Sequence, residues 1–245
     1  MLRTALEDLN HAWEGVDPND TAAVLNHALD LYHPRMALAS SFGKEDVVLI
    51  DMLVSLRADV RIFSLDTGRL NPETYECAEA IRRRYKARIE WFFPKREVVE
   101  ELENDKGLFS FRESVENRKE CCTIRKVEPL ARALKDLDAW MTGQRREQSV
   151  TRSSLRTIEI DESHGGIAKI NPLSNWTHED VGDYVQRHGI PYNALHDQGY
   201  PSIGCAPCTR AVQAGEDQRA GRWWWERADH KECGLHANYQ MGDGI

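Results

Sequence analysis

The sequence predicts an α/β fold, with a Rossmann-like, open, mostly parallel sheet that carries helices on both faces. Short apolar segments alternate with segments of helical periodicity, and this alternation is typical of βα units in a parallel sheet. The pattern predicts a buried strand at Met36–Ala39, a turn of small residues at 40–43 and a helix that begins near Lys44. The same order of strand, polar turn and helix recurs at 60–85, so the pattern indicates repeated βα units.

The remaining segments extend this architecture on both sides of the two βα units. The further predicted elements are helices at 1–14, 20–32 and after the capping-box pattern Thr177–Asp180, strands at 88–93 and 138–142, a charged stretch of helices and loops outside the sheet at 97–120, and a hairpin at 155–170. We expect residues 1–227 to form a single α/β nucleotide-binding domain. The polar residues 228–245 are expected to form a mobile C-terminal tail.

Composition restricts the class of protein. The 245 residues carry 32 Lys and Arg against 40 Asp and Glu, so the net charge of -8 argues against a general nucleic-acid binder. The hydrophobic fraction of 41% excludes a disordered chain, and no apolar run reaches the roughly 20 residues of a membrane span. The N-terminus contains Glu7 and Asp8, unlike a secretory signal. We therefore expect a soluble, cytoplasmic protein without nucleic-acid or membrane partners.

Three turns at the carboxyl ends of predicted strands have the composition of an anion site. The first is Ser40–Asp46, where small residues and Lys44 lie at a helix N-terminus. The second is Leu65–Arg69, and the third is Thr142–Ser149, which carries adjacent arginines. Each turn alone is also an ordinary structural joint. Together, with Arg219 and Arg222 at helical spacing, they predict a site for a nucleotide-type anion.

Four cysteines occur as two local pairs, Cys121–Cys122 and Cys205-Ala-Pro-Cys208. Thiolates in this number suit zinc or an iron–sulfur cluster. Adjacent residues of a helix point about 100° apart, which favours a cluster with separate iron corners over a single zinc ion. A redox-active dithiol at 205 and 208 remains an alternative. Cys77 lies near the apolar stripe of a predicted helix and is interpreted as a buried core thiol.

The sixth cysteine has a different environment. Cys233 lies in the polar segment His230–His236, close to the chain end. Lys231 and the histidines favour the thiolate, and Gly234 leaves space beside the sulfur. We interpret Cys233 as a nucleophile in a movable segment.

With these motifs in place, the chain resembles the assimilatory adenylyl-sulfate (APS) reductases that carry an iron–sulfur cluster, within the PAPS reductase family. The resemblance extends from about Ser40 to His236. It depends on Ser41-Phe-Gly-Lys-Glu-Asp46, Leu65-Asp-Thr-Gly-Arg69, Cys121-Cys122, Gly143-Gln-Arg-Arg146, Gly199-Tyr-Pro-Ser-Ile-Gly-Cys-Ala-Pro-Cys-Thr209 and Lys231-Glu-Cys-Gly-Leu-His236.

The resemblance implies a thiol-dependent reduction of the sulfate group of adenosine 5'-phosphosulfate (APS) in sulfate assimilation. Cys233 would attack the sulfur, release AMP and become an S-sulfonate, from which reduced thioredoxin or glutaredoxin would free sulfite. His236 would assist. One [4Fe–4S] cluster per subunit would be held by Cys121, Cys122, Cys205 and Cys208, without passing electrons to the substrate.

The resemblance also assigns the substrate-binding residues. Lys126 would bridge the cluster and the substrate, and the three turns would hold the nucleotide. The substrate-binding set is Ser41, Gly43, Lys44, Leu65, Asp66, Thr67, Arg69, Lys126, Gly143, Gln144, Arg145, Arg219 and Arg222.

Other functions stay open on the sequence alone. A reductase for the 3'-phosphorylated substrate (PAPS), or for both substrates, is the nearest, and a homo-oligomer is possible. A tRNA-thiolating enzyme is disfavoured because Phe42 and Asp46 replace residues of the ATP-cleaving Ser-Gly-Gly-x-Asp-Ser motif. A zinc-stabilised binding module without catalysis is the alternative from a different class.

Overall fold

A computed structural model describes residues 2–149, 152–226 and 235, and of the first helix it describes the side chains from residue 6 onward. The predicted nucleophile Cys233 and its predicted assistant His236 lie outside the described residues. The helices are α1 (Leu2–Ala12), α2 (Thr21–Tyr32), α3 (Lys44–Leu56), α4 (Pro72–Tyr85), α5 (Arg96–Lys106), α6 (Val115–Cys122), α7 (Glu128–Leu134) and α8 (His178–His188). The strands are β1 (Met36–Ala39), β2 (Arg61–Leu65), β3 (Ile89–Phe92), β4 (Ala139–Met141), β5 (Ile158–Asp161) and β6 (Ile167–Ile170).

Within the described residues, the strands form one six-stranded sheet in the order β3-β2-β1-β4-β6-β5. All neighbouring pairs are parallel except β5 and β6, which form the predicted antiparallel hairpin. Ala37 of β1 pairs with Arg61 on one side and with Trp140 on the other. The chain therefore reverses its direction of sheet growth between β1 and β4, which is the topological switch point where such sheets bind ligands.

Both faces of the sheet are covered, as predicted. Met36 and Leu38 point into a core that they share with α2, α3, α4 and α8, whereas Ala37 points to the opposite side. There it packs with Trp140 and with Leu130 and Leu134 of α7. This alternation has the period of two that a strand imposes on its side chains.

The predicted elements agree with the structure to within a few residues. The charged stretch 97–120 forms α5, a 3₁₀ turn at Ser110–Arg112 and most of α6, all outside the sheet. The Thr177 hydroxyl accepts the Asp180 N–H at 3.0 Å, which confirms the capping box. No helix in the described part of the chain is long and apolar enough to cross a membrane.

One feature was not predicted. The chain does not leave the helical path after Cys122 but continues through a π-helical turn, Thr123–Val127, directly into α7. Such π-helical turns widen the helix locally and re-aim side chains, frequently at functional sites. Here the widened turn contains Lys126, immediately after the first cysteine pair.

Candidate active site

A cleft of about 250 Å³ opens where β1, β2 and β4 end. The three predicted turns all reach it, because parallel strands bring their carboxyl ends to one edge of the sheet. The residues of these turns that line the cleft are Ser40, Ser41, Gly43, Glu45, Asp46, Leu65, Thr67, Thr142, Gly143, Gln144 and Gln148. The predicted anion site is thus one continuous cavity at the switch point.

The first turn has an unusual backbone at Phe42. Its φ of 59° lies in the left-handed region, where glycine alone avoids a steric cost. The Phe42 side chain is fully buried and stacks on Trp91 with 5.8 Å between ring centroids, and this packing offsets the strain. The turn thereby keeps a glycine-like shape without glycine at position 42.

Asp46 closes the first turn from inside the cleft. Its carboxylate accepts the Ser41 N–H at 2.6 Å and the Ser41 hydroxyl at 2.8 Å. Burial raises the pKa of Asp46 to about 6, and the nearby Glu45 carboxylate adds to this shift against the opposing Ser41 bonds. The Asp46 carboxyl therefore titrates well above the ordinary range of an aspartate.

The neighbouring Glu45 is held ionised by Arg145. Both the Nε and Nη2 atoms of Arg145 donate to Glu45 Oε1, at 2.8 and 2.7 Å, and the Arg145 side chain is 1% exposed. Burial is the largest single influence and opposes the charge of Glu45, but Arg145, together with hydrogen bonds from the Glu45 N–H and Gln148, lowers the Glu45 pKa below its ordinary value. Arg145 also donates to Glu147 and the Trp176 carbonyl, so its guanidinium is engaged within the protein.

Gln144 presents an unpaired amide to the cleft. Its side chain is buried, and neither Nε2 nor Oε1 has a hydrogen-bond partner among the described residues. A buried polar group without a partner costs free energy, so it is satisfied in proteins by water or a ligand. Gln144 is therefore placed to bind a polar group in the cleft.

The structure brings most of the predicted substrate-binding residues to the cleft, but not all. Those that line it are Ser41, Gly43, Leu65, Thr67, Lys126, Gly143, Gln144, Arg219 and Arg222. Lys44, Asp66, Arg69 and Arg145 do not line it. These four side chains differ from the prediction because each of them contacts another protein group.

Lys44, Asp66 and Arg69 each contact groups outside the cleft. The Lys44 ammonium lies over the Tyr192 ring, 4.9 Å from its centroid. Asp66 accepts the Gly68 N–H at 2.8 Å and the Tyr75 hydroxyl at 3.0 Å, and so shapes the second turn. Arg69 donates to Glu103 at 2.6 Å and lies beside the cysteines instead.

Several lining residues were not selected from the sequence, namely Glu45, Asp46, Gln148, Arg152 and His196. Acidic residues are common in the first turn of a helix, so Glu45 and Asp46 carried no signal of their own. Arg152 follows the third turn. Its place in the sequence shortly after Arg145 and Arg146 was the one feature that could have suggested it as a lining residue of the cleft. Burial and the nearby Lys44 charge lower the pKa of His196 to about 4, so its imidazole is neutral.

The four paired cysteines meet in a second cavity beside the cleft. Cys121, Cys122, Cys205 and Cys208 all line it. Among the described residues, no three His, Cys, Asp or Glu side chains converge closely enough to hold a single metal ion. The four cysteines thus border a common cavity, and their side chains do not meet at a single ion-sized site.

Positive charge surrounds this cysteine cavity. The cations that line it are Arg69, Arg118, Arg125, Lys126 and Arg222. Although burial opposes the charged form, Lys126 and a 3.3 Å contact with the Thr67 hydroxyl lower the pKa of Cys205 below its ordinary value. Cys77 differs, because burial raises its pKa to about 12 and it packs in the main core. This confirms the interpretation of Cys77 as a core thiol.

The two cavities share a wall formed by Lys126, Cys205 and Arg222. Lys126 comes from the π-helical turn after the first cysteine pair, and Arg222 lies against Gly204, beside Cys205. A Cβ atom on residue 204 would lie 2.3 Å from Arg222 Nη2, so Gly204 leaves the space that the guanidinium occupies. The wall places two cations between the cysteines and the cleft.

Fold and site together define a class of protein: a Rossmann-like α/β protein whose cation-lined cleft adjoins four cysteines. Residues 35–211 match the phosphoadenosine phosphosulfate reductase domain, and the chain belongs to that family. Fold class and family are thus as the sequence predicted.

Individual relatives agree with this assignment. An adenosine 5'-phosphosulfate reductase of Burkholderia cepacia is 54% identical over 204 residues, covering 83% of this chain and 81% of that protein. One of Neisseria meningitidis serogroup B is 45% identical over 242 residues, covering 96% of this chain and 98% of that protein. The crystal structure of a phosphoadenylyl-sulfate reductase from Candida auris, a phosphate complex, superposes with a TM-score of 0.67 at 32% identity. It covers 84% of this chain and 95% of that structure.

Proposed function

We propose that this protein reduces adenosine 5'-phosphosulfate to sulfite and AMP, as an oxidoreductase of sulfate assimilation. The observation that carries the proposal is the shared wall, where Lys126 and Arg222 face both the nucleotide-type cleft and the four cysteines. The names of the relatives agree, since the Burkholderia cepacia and Neisseria meningitidis proteins, which this chain matches over 81% and 98% of their lengths, are both adenosine 5'-phosphosulfate reductases.

The chemistry requires a nucleophile, a neutralised sulfate and a stable leaving group. In the proposed first step the Cys233 thiolate attacks the substrate sulfur, the sulfur–oxygen bond to the phosphate breaks, and AMP leaves with the electron pair. Cys233 becomes an S-sulfonate. A thiolate of the donor then attacks Cys233 Sγ and releases sulfite, and the second donor thiol resolves the mixed disulfide. The donor dithiol is oxidised, two protons are released, and Cys233 is regenerated.

The cleft supplies groups for the anionic part of the substrate. Lys126, Arg219 and Arg222 line it with positive charge, and Arg152 adds a fourth cation from the segment after the third turn. Arginine forks match the oxygens of phosphate and sulfate. Cations that face the transferring group stabilise the charge that develops on its oxygens and on the leaving phosphate.

The adenosine end of the substrate would lie against the turns. Gln144 offers the unpaired amide, and backbone groups of Leu65 and Gly143 lie at the strand ends where such folds bind nucleotides. Phe63 and Trp140 supply apolar surface in the same cleft. Lys44, Asp66, Arg69 and Arg145 act by supporting the turns, because their side chains are engaged elsewhere.

Cys233 is assigned as the nucleophile on chemistry and chain connectivity. Leu235, two residues later in the sequence, lines the cleft and packs against the core on the α7 side of the sheet. Two residues of chain span at most about 7 Å. The position of Leu235 therefore supports the proposal that the Cys233 thiol reaches the substrate and that His236 assists the reaction. The tail, 228–245, is proposed to open when the donor thiol approaches.

Cys121, Cys122, Cys205 and Cys208 would hold one [4Fe–4S] cluster. The donor set fits, because four cysteines border one cavity, and four cysteine thiolates are the usual ligands of such a cluster. When bound, the cluster would place iron–sulfide charge behind the wall that Lys126 and Arg222 form. Both electrons of the reaction come from thiols.

Thioredoxin or glutaredoxin is the proposed electron donor, in the cytoplasm. The 3'-phosphorylated substrate is the alternative, since the solved relative from Candida auris is named for it. The chain is 32% identical to that protein but 54% and 45% identical to the two adenosine 5'-phosphosulfate reductases, which favours the unphosphorylated substrate.

The test mixes anaerobically purified protein with either substrate, without reductant, and measures intact mass. We expect one added sulfonate from adenosine 5'-phosphosulfate in the wild type and in Cys77→Ser, and none in Cys233→Ser. Faster labelling by the 3'-phosphorylated substrate would keep the mechanism and change the substrate. If neither substrate labels protein with full iron and sulfide content, the proposed function is wrong.

A further inference from the structure

A buried ion pair joins the helix of the first cysteine pair to the last described residue before the C-terminal tail. Arg118 of α6 donates from Nε to Glu226 Oε1 at 2.9 Å and from Nη2 to Glu226 Oε2 at 2.8 Å. The two side chains are 1% and 4% exposed. This two-bond geometry fixes both distance and orientation between the two segments.

Each end of the pair leads to a part of the proposed reaction centre. Arg118 precedes Cys121 and Cys122 by three and four residues, on the same helix. Glu226 precedes Cys233 by seven residues in the sequence. The pair therefore connects the backbone that carries two cysteines of the second cavity with the backbone that leads to the proposed nucleophile.

The same connection includes the cations of the cleft. The guanidinium carbons of Arg118 and Arg222 both lie 4.7 Å from the centroid of the buried Trp223 ring. The Glu226 N–H donates to the Trp223 carbonyl at 2.8 Å, so residues 223–226 form one turn. Arg118, Trp223, Arg222 and Glu226 thus make one packed unit beside the shared wall.

We infer that Arg118 and Glu226 are positioning residues, which set where the C-terminal segment leaves the domain and thereby where the Cys233 thiol meets the sulfate group. This inference rests on the proposed function. A buried ion pair is a weak source of stability, because removing the charges from water offsets their attraction. What the pair supplies beyond an apolar contact is a defined geometry.

The experiment measures single-turnover sulfonation of Cys233 by adenosine 5'-phosphosulfate in holoprotein without a thiol donor. Glu226→Gln removes the charge, and the double variant R118M/E226M replaces the pair by apolar side chains that fill the same space. We expect sulfonation to slow about 10- to 100-fold in both variants, the cost of a small misplacement of reacting groups. Substrate affinity, measured in a Cys233→Ser background, and iron content should stay at the wild-type level.

The matched control is Glu216→Gln, which breaks another two-bond pair of the same C-terminal region, Arg210–Glu216, with both bonds at 2.8 Å. It should leave the sulfonation rate unchanged. Wild-type sulfonation rates in Glu226→Gln and R118M/E226M, or parallel losses of affinity and iron, would mean that the pair has a structural role alone. If the wild type itself forms no S-sulfonate, the proposed function is wrong, and the inference about Arg118 and Glu226 is wrong for that reason.

Discussion

Gly143 approaches Asp46 so closely that a Cβ atom on residue 143 would lie 2.5 Å from Asp46 Oδ1. The same atom would lie 2.8 Å from Glu45 Cβ and 3.2 Å from the Asp46 nitrogen. The third turn of the cleft therefore packs directly on the first turn of α3. The backbone geometry on both sides of the cleft depends on this contact.

Gly143→Ala should weaken both the fold and substrate binding, because the added methyl must push the two turns apart. Overpacking of this kind costs about 1–3 kcal/mol. The measurements are the free energy of unfolding in denaturant and the dissociation constant for adenosine 5'-phosphosulfate. Gly182→Ala is the control, since its Cβ in α8 meets nothing within 4 Å and alanine is the better helix former. Equal behaviour of the two variants would contradict the prediction.

Gly204→Ala should separate binding from stability. Its Cβ would meet the Arg222 guanidinium, which is the end of a flexible side chain and can move at little cost. We expect the melting temperature to change little while KM for adenosine 5'-phosphosulfate rises about tenfold or more, because the cation leaves the shared wall. Arg222→Gln should reproduce the rise in KM. A normal KM in Gly204→Ala would show that Arg222 does not bind substrate from its observed position.

Asp46 should make stability depend on pH. Its pKa is about 6 in the folded protein against an ordinary value of 3.8, so between these values the native state binds more protons than the unfolded state. Stability from this group is therefore complete below pH 3.8 and is lost as pH rises through 6, by about 3 kcal/mol in total. Asp46→Asn should remove this dependence. The readout is the difference in unfolding free energy between wild type and variant, measured from pH 4 to 7.

Asp180 offers a control of opposite sign. Its pKa is lowered by hydrogen bonds from the Thr177 N–H and hydroxyl at the start of α8. Its contribution is therefore present at neutral pH and is lost as pH falls through the lowered value. Asp180→Asn should be less stable than the wild type at neutral pH, and this difference should disappear in acid. Asp46→Asn should instead become more stable relative to the wild type as pH rises. A constant difference for Asp46→Asn over the whole range would argue against the raised pKa.

Removal of single cysteines should distinguish the second cavity from the core. Serine at position 121, 122, 205 or 208 removes one of the four cysteine sulfurs that border the cavity, and we expect each variant to lose iron, acid-labile sulfide and visible absorption. Cys77→Ser should retain all three, because Cys77 packs in the main core. Full iron in any of the four variants, or stoichiometric zinc in the wild type, would overturn the cluster assignment.

Arg145 and Arg152 show where sequence reasoning reaches its limit. Both follow β4, and the adjacency of Arg145 to Gly143-Gln144 favoured it as a ligand of the substrate. In the structure Arg145 turns to Glu45, a hundred residues earlier in the chain, and Arg152 lines the cleft. A motif indicates that an arginine is near an anion site, but the direction of its side chain depends on which acidic group a distant helix brings to it.

Local patterns by themselves determined the βα order, the three turns at the strand ends, the two cysteine pairs and the core role of Cys77. These features depend on periodicity and spacing within a few residues, which the chain carries regardless of its final packing. Tertiary structure alone decided the shared wall of Lys126, Cys205 and Arg222 and the pairing of Arg118 with Glu226. Those contacts bring together segments that are distant in the sequence, such as Arg118 and Glu226, which are 108 positions apart, and their geometry is set by how the chain packs around the sheet.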